Sequence, residues 1–247
     1  MYQLPTAPRG NGQVLESGMQ LTRAGFVRML PYAILTALLS AVPFVYLLYA
    51  GVLTDPAAVL RLAFSWSYWL AGLVMVAFSM LIYGAATVRI ESIAQGADVG
   101  IGPSFSAVLP RVPALVGALF GYMLAVVVGC MLLVVPGLYL MGALFLFAAA
   151  IVLDGKGPIE SLGHSLNLVL GNWWRLAIIS GIAIIVLYLV YIVVGILVGL
   201  FMGFRGAELE FLFVVNMVST LVGGLLMMPF FSALYVEMYR EVKMRKR

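Results

Sequence analysis

The chain has 247 residues, of which 64% are hydrophobic and only 10% are charged. A soluble domain carries about 25% charged residues, so this composition excludes a water-soluble globular core. At roughly 20 apolar residues per spanning helix, the length suits one domain of about six transmembrane helices. The net charge of +4 does not indicate a nucleic-acid partner, because the basic residues flank apolar segments and form no patch interleaved with aromatic residues.

Residues 1–12 are rich in proline and glycine, which predicts a loosely ordered N-terminal tail. We assign 13–240 to a single six-span, all-α membrane domain and 241–247 to a basic cytoplasmic tail. The spans are recognised as long apolar stretches that carry almost no charge. They are predicted at about 26–50, 66–90, the two halves of 114–153, 174–203 and 211–239.

The longest apolar stretch, 114–153, has about twice the length that one helix needs. Pro136 and Gly137 stand near its middle. Proline cannot continue the helical hydrogen-bond ladder, and glycine permits a turn. The sequence therefore predicts a tight helical hairpin that turns at these two residues.

Basic residues are strongly biased to one side of the predicted spans, and only Arg61 and Arg205 fall on the other side. By the positive-inside rule, both termini are then cytoplasmic and the number of spans is even. A multi-pass protein of the bacterial inner membrane is expected. The residues on the cytoplasmic side are Arg9, Arg23, Arg28, Arg89, Arg111, Lys156, Arg175, Arg240, Lys243, Arg245, Lys246 and Arg247.

The predicted cytoplasmic connectors contain amphipathic segments. From Pro158 to Trp173 apolar residues recur at helical spacing, which predicts a helix lying at the membrane surface. A shorter surface helix is predicted to begin at Gly102–Pro103, and a third candidate precedes the first span. On the longest of these, the predicted apolar face is Ile159, Leu162, Leu166, Val169 and Trp173, whereas Glu160, Ser161, His164, Ser165 and Asn167 point elsewhere.

The charged residues at the span ends suggest an internal repeat. We hypothesise three copies of one unit, made of a surface helix, a spanning hairpin and an acidic exit. The alternative is that arginine simply accumulates at cytoplasmic helix ends. The arginines at the mouths of the odd-numbered spans are Arg28, Arg111 and Arg175, and the acidic residues near which the even-numbered spans end are Glu91, Asp154 and Glu237.

The stretch 134–176, VVPGLYLMGALFLFAAAIVLDGKGPIESLGHSLNLVLGNWWRL, carries a family resemblance. It shows Pro136–Gly137 before a hydrophobe, Asp154 after an apolar helix, a surface-helix motif at 165–168, and Gly171–Trp174 entering the next span. The connector RIESIAQGADVGIGPSFSAVLPRVPAL and the ending PFFSALYVEMYREVK fit the same pattern. In these features the chain resembles the membrane domain of glycerophosphoryl diester phosphodiesterases and of related uncharacterised bacterial inner-membrane proteins.

This resemblance implies six spans and a belt of cytoplasmic surface helices. It does not imply hydrolysis, because the phosphodiesterase activity of such proteins belongs to a separate soluble barrel domain that we do not find in this sequence. The residues favour the same interpretation, since His164 is the only histidine, Cys130 is the only cysteine, and no HExxH or phosphate-binding glycine motif occurs. We therefore expect no catalytic residue, no cofactor and no metal.

Two sets of small residues predict helix-packing faces, either within the chain or between subunits. The first set is Gly117, Gly121, Ala125 and Gly129, and the second is Gly195, Gly199 and Gly203.

The favoured function is that of a non-enzymatic membrane protein whose surface helices engage phospholipids, a membrane-protein partner or a second copy of the chain. The alternative is a transporter, channel or lipid-translocating protein with a cavity near the last span. A membrane-embedded enzyme is disfavoured. The expected contacts to lipid or partner are Arg28, Arg111, Arg175, Trp173 and Trp174. The polar lining of the alternative is Asn216, Ser219 and Thr220, although interhelical hydrogen bonding is the favoured interpretation of these three residues.

Overall fold

The computed structural model describes residues 2, 4–51, 55, 57–202 and 209–246. In this part of the chain the regular secondary structure is helical throughout, and a short 3₁₀ turn at Leu109–Arg111 joins the fourth helix to the fifth. The helices are α1 Asn11–Tyr49, α2 Ala57–Ala63, α3 Trp66–Ala94, α4 Ile101–Val108, α5 Val112–Leu132, α6 Val134–Leu144, α7 Phe147–Asp154, α8 Pro158–Val169, α9 Trp173–Met202 and α10 Leu209–Arg245.

The prediction of six spans is confirmed in its coarse form, because six segments are long and apolar enough to cross a membrane. The helical bundle also reaches into both predicted tails, since α1 begins at Asn11 and α10 continues to Arg245. Gly203 and Arg205 lie outside the described residues. The six segments are Asn11–Tyr49, Trp66–Ala94, Ile101–Leu132, Val134–Asp154, Trp173–Phe201 and Phe211–Arg245.

The first span differs from its prediction in where it begins. No separate surface helix precedes it, because α1 is one continuous helix of 39 residues that contains Pro31 and Pro43. Its buried stripe includes Val14, Gly18 and Leu21, whereas the apolar side chain of Met19 is exposed. No glycine–proline pair interrupts the sequence between the amphipathic part and the apolar part, so the helix has no stop signal there.

The hairpin between α5 and α6 turns three residues earlier than predicted. The break lies at Leu133, whose backbone is extended with φ −162° and ψ 146°. Pro136 falls within the first turn of α6, where the missing N–H has no helical partner to lose. Gly137 faces the other arm of the hairpin at Cys130 and lets the two helices approach closely.

Within the described residues, both small-residue faces contact other helices of the same chain. A Cβ atom on Gly121 would lie 2.9 Å from the side chain of Leu162 in α8, and one on Gly129 would lie 3.0 Å from the backbone of Gly137 in α6. On the second face, a Cβ on Gly195 would lie 3.4 Å from the hydroxyl of Ser219 in α10. These close approaches are intramolecular helix contacts of the kind that small residues permit in membranes.

A second break in the apolar stretch 114–153 lies within the fourth span, at Phe145–Leu146 between α6 and α7. Ser165 of α8 satisfies two backbone groups at this break. Its hydroxyl donates to the carbonyl of Ala143 at 2.8 Å and accepts from the N–H of Leu146 at 3.1 Å. Buried backbone groups need partners, which explains why Ser165 points inward although its polarity predicted an outward position.

The predicted apolar face of α8 is therefore partly wrong. Ser161 and Ser165 are fully buried, and Ile159 is 84% exposed. The Ser161 hydroxyl donates to the carbonyl of Pro158 within its own helix at 2.8 Å. The start of α8 matches its prediction, because Gly157 is the N-cap and Pro158 is the first helical residue.

Three helices begin in the same manner. Gly10, Gly100 and Gly157 are the N-caps of α1, α4 and α8, and all three have extended backbones with ψ between 159° and 171°. The fourth residue after each cap is buried and donates its N–H to the cap carbonyl at 2.8–3.2 Å. Those buried residues are Val14, Ser104 and Ser161.

The bundle buries its side chains mainly at one end. Buried clusters combine the first part of α1 and the last parts of α3, α7 and α10 with α4 and α8. Toward the opposite end many apolar side chains are exposed. A lipid-facing surface has this character, since a bilayer favours exposed apolar groups. Examples at that end are Leu38, Tyr49, Trp66, Phe120, Met131, Leu132 and Phe201.

We predict that Gly137→Ala destabilises the hairpin by about 3 kcal/mol or more, the upper range for overpacking a well-filled site. The added Cβ would lie 2.6 Å from the backbone nitrogen of Cys130 and 2.8 Å from its Cα, and the backbone cannot move aside cheaply. The measurement is thermal unfolding of the purified protein in detergent. Gly163→Ala in α8 is the control, because a Cβ there meets nothing within 4 Å. Equal melting temperatures of the two variants would contradict this packing.

Candidate functional site at the charged end of the bundle

Charged side chains from distant parts of the chain meet at the end of the bundle formed by the residues before α1, the last turns of α3, α7 and α10, and helices α4 and α8. We call this region the charged end. Three clusters of ion pairs lie within it, centred on Glu237, Asp154 and Asp98. Two of these centres are acidic exits of the predicted repeat.

Glu237 is the most deeply buried charged residue of the first cluster, with no exposed surface. Its carboxylate accepts a hydrogen bond from the Arg9 guanidinium at 2.6 Å and one from Arg240 at 3.2 Å. The Tyr2 hydroxyl also donates to it. Burial, together with the nearby Glu237 carboxylate, raises the pKa of Tyr2 above its ordinary value, so this phenol stays a hydrogen-bond donor.

Glu241 lies one turn further along α10 and continues this cluster. It accepts from the backbone N–H of Arg9 at 3.0 Å and from the Arg245 guanidinium at 2.7 Å. The segment before α1 is therefore bound to the end of α10 through both the backbone and the side chain of Arg9. Charge-assisted hydrogen bonds of this kind are stronger than neutral ones.

Arg240 extends the cluster to the second span. One of its terminal nitrogens lies 2.7 Å from the Glu91 carboxylate at the end of α3. Glu91 also accepts from Gln95 at 2.6 Å. Residues 91 and 240 are far apart in sequence, so this pair joins α3 directly to α10.

The second cluster joins α7, α8 and α10 at Asp154. Lys243 lies 2.7 and 2.8 Å from its two carboxylate oxygens, and the Tyr239 hydroxyl donates to it at 2.7 Å. His164 of α8 stands 3.7 Å away. Partial burial and the Lys156 cation lower the pKa of His164, although Asp154 acts in the opposite direction. His164 is thus neutral at neutral pH, and Lys243 is the cation that balances Asp154.

The third cluster joins α1 and α3 to the loop before α4. Arg89 of α3 contacts the Asp98 carboxylate at 2.9 Å, and Arg28 of α1 approaches the same carboxylate at 3.6 Å. The Arg89 side chain is only 9% exposed. Two cations therefore share one carboxylate here.

The three arginines predicted as a lipid-binding belt contact three different elements. Arg28 pairs with Asp98, as above. Arg111 donates to the carbonyl of Val152 near the end of α7. Arg175 lies 3.4 Å from the carbonyl of Arg9 and 3.2 Å from the Asn11 side chain.

The two predicted tryptophan contacts have different environments. The Trp173 indole donates to the carbonyl of Tyr139 at 2.9 Å and stacks on the Tyr139 ring at 5.6 Å between centroids. Trp174 is 75% exposed and packs edge-on against Trp173 at 4.8 Å. Of these two tryptophans, only Trp174 is largely exposed at the surface of the bundle.

The residues predicted as a polar lining do not face one common space. Ser219 is 1% exposed and lies against α9. Thr220 donates to the carbonyl of Asn216 within α10 at 2.8 Å. The Asn216 side chain is exposed.

Several contacts were missed by the sequence analysis. Tyr2 and Arg9 were assigned to a loose tail, and Arg89 was counted only as a topology signal. The spacing of YVEMYREVK offered a usable clue, because tyrosines recur four residues apart on one helix face and glutamates four residues apart on another. In the described part of the chain, no group of three His, Cys, Asp or Glu side chains is arranged as metal ligands.

We predict that Glu237→Gln lowers the free energy of unfolding by about 3–5 kcal/mol, the range for breaking a buried ion pair. The amide would leave Arg9 and Arg240 beside a group without charge. Unfolding by sodium dodecyl sulfate titration measures the effect. Lys156→Gln is the control, since its partner Glu160, at 2.6 Å, is 63% exposed and the pair is expected to contribute at most about 1 kcal/mol. Equal losses in the two variants would refute the structural role of Glu237.

Comparison with known proteins identifies a family without a described function. No curated protein and no solved structure matches the chain. The resemblance to the membrane domain of glycerophosphoryl diester phosphodiesterases stays a prediction. One family model, described as Domain of unknown function (DUF7847), matches residues 58–242, from α2 to the last turns of α10. Because this match covers about three quarters of the sequence, the chain belongs to the DUF7847 family.

Proposed function

We propose that the protein is a non-enzymatic multi-pass protein of the bacterial inner membrane that engages anionic phospholipids at its charged end, with both termini in the cytoplasm. The observation that carries this proposal is the unequal pairing of charge at that end. Seven of the eleven described cations there contact a carboxylate, and four do not. The four are Arg23, Arg111, Arg175 and Lys246.

These four cations leave a positive excess at one end of the molecule. Arg23 and Lys246 are exposed, whereas Arg111 and Arg175 are partly buried and donate to neutral oxygens. Cations near the cytoplasmic leaflet are attracted by anionic headgroups at about 1 kcal/mol per residue. A surplus that the protein does not neutralise internally supports headgroup binding better than a count of basic residues alone.

Exposed apolar side chains accompany this surplus. The exposed residues are Trp174 on α9, Ile159 on α8 and Leu109 in the 3₁₀ turn. Tryptophan is enriched at membrane interfaces, where an apolar ring lies beside hydrated headgroups. A surface that is both cationic and apolar suits the region between headgroups and acyl chains.

The three glycine-capped helices support the repeat hypothesis in a modified form. In each, the buried fourth residue fixes the helix against the bundle while the opposite face remains exposed. We propose that α4, α8 and the first turns of α1 are equivalent surface elements, and that a membrane partner or a second copy of the chain would bind over the same end.

We predict that the double variant Arg23→Gln/Lys246→Gln loses about 2 kcal/mol of preference for anionic lipid, at about 1 kcal/mol per cation. The measurement compares retention of phosphatidylglycerol with that of phosphatidylcholine by native mass spectrometry. Arg61→Gln is the matched control, because Arg61 lies at the opposite end, where it pairs with Asp55 at 2.6 Å. An unchanged lipid preference in the double variant would reject the proposal.

One observation favours a second function, that of a transporter or channel. Asn216 exposes its amide on α10, and its side chain has no hydrogen-bond partner among the described residues. A polar group facing acyl chains is costly, so a hydrated path beside Asn216 would explain its exposure.

Thiol labelling separates this alternative from the first. With Cys130 replaced by serine, Asn216→Cys is expected to react with a water-soluble maleimide if a hydrated path exists. Leu226→Cys on the same helix is the control, since Leu226 is an exposed apolar residue. Labelling of position 216 alone would support transport, and no labelling at either position would remove this second candidate.

A further inference from the structure

We propose that Arg28, Arg89 and Asp98 form a binding site for a phosphate group where α1, α3 and α4 meet, and that the Asp98 carboxylate occupies this site until a ligand displaces it. This inference rests on the proposed function and assigns to it a particular site. The ligand is recognised by its phosphate chemistry, whether that phosphate belongs to an anionic lipid or is free.

The Arg89 guanidinium forms the buried part of the site. Its side chain is 91% buried, and one terminal nitrogen contacts Asp98 at 2.9 Å. The Nε and the other terminal nitrogen are buried and have no hydrogen-bond partner among the described residues. A guanidinium is expected to use its donors when buried, so the site has more donors than Asp98 satisfies.

A second buried polar group lies in the same region. The Tyr32 hydroxyl of α1 is buried and makes no hydrogen bond of good geometry, although the Arg89 and Ser104 side chains lie close to it. The Tyr32 ring stacks on Phe105 of α4 at 5.6 Å. Buried polar groups of α1 and α3 without well-formed hydrogen bonds therefore lie beside the helix that follows Asp98.

The opening of the site is accessible. The Arg28 and Asp98 side chains are 49% and 48% exposed, and their closest charged atoms are 3.6 Å apart. Such a contact is loose compared with the 2.9 Å pair between Asp98 and Arg89. A ligand can thus reach Asp98 from outside the bundle, and the buried guanidinium of Arg89 lies directly beneath this carboxylate.

Charge and geometry favour phosphate as the ligand. Two guanidinium groups face one carboxylate, which leaves one positive charge without balance. The planar fork of arginine matches phosphate oxygens in bidentate geometry. A phosphate monoester offers three terminal oxygens and inorganic phosphate four, where a carboxylate offers two, and the larger negative charge of either suits two cations. Val27, 75% exposed beside Arg28, adds an apolar surface suited to an acyl chain.

The test uses Asp98→Asn, which removes the competing charge and preserves the side-chain shape. The full-length protein in neutral detergent is titrated with inorganic phosphate in one arm and with short-chain phosphatidic acid in the other, and binding is followed by calorimetry. We expect Asp98→Asn to bind at least one of these about tenfold more tightly than the original protein, and Arg28→Gln to bind it about tenfold more weakly.

Glu160→Gln is the matched control, because it also removes an exposed carboxylate that pairs with a cation at this end. Tighter binding by Asp98→Asn but not by Glu160→Gln supports the site. If Asp98→Asn binds only phosphatidic acid more tightly, the ligand is a lipid. If it binds only inorganic phosphate more tightly, the ligand is free phosphate, and the proposed lipid function loses this support. Asp98→Asn binding no tighter than the original protein in both arms overturns the site, whereas the proposed function is judged separately by Arg23 and Lys246.

Discussion

The ion pairs along the last turns of α10 are the constraint on which the rest of the structure depends. Glu237 and Glu241 bind the segment before α1, Arg240 binds the end of α3, and Lys243 binds the end of α7. Within a bilayer there is little hydrophobic drive between helices, so close packing and polar contacts select the arrangement. One helix thereby sets the positions of three other parts of the chain, and its charged side chains are paired in these contacts.

This pairing determines which charged side chains remain available to bind a ligand. The carboxylates of the charged end are engaged with cations or amides within the protein, and what remains is a positive surplus with exposed apolar residues around it. The buried clusters also concentrate at this end, so α4 and α8 pack against a well-filled part of the bundle. The opposite end, with its exposed apolar side chains, is suited to contact with lipid. A cationic face on a buried base and an apolar outer surface together support the proposal of lipid engagement.

Much of the fold was predictable because hydropathy and charge bias act over long segments. Six helices long and apolar enough to cross a membrane followed from apolar length, and the start of α8 followed from Gly157–Pro158. The break at Phe145–Leu146 was not predictable, since neither residue disrupts a helix and the stabilising hydroxyl of Ser165 comes from another element. The pairs of Arg9 with Glu237 and of Arg240 with Glu91 were hidden for a similar reason. Local patterns show which residues are charged, but only the packing of distant helices brings the partners together.

A double-mutant cycle between Asp154 and Lys243 tests most directly whether α10 holds the other helices by ion pairs. Asp154→Asn, Lys243→Gln and the double variant are compared by their free energies of unfolding in sodium dodecyl sulfate. The partly buried contact at 2.7 Å predicts a coupling energy of about 1–2 kcal/mol, within the range for contacting residues. Losses that add to within about 0.5 kcal/mol, as for independent sites, would contradict the account.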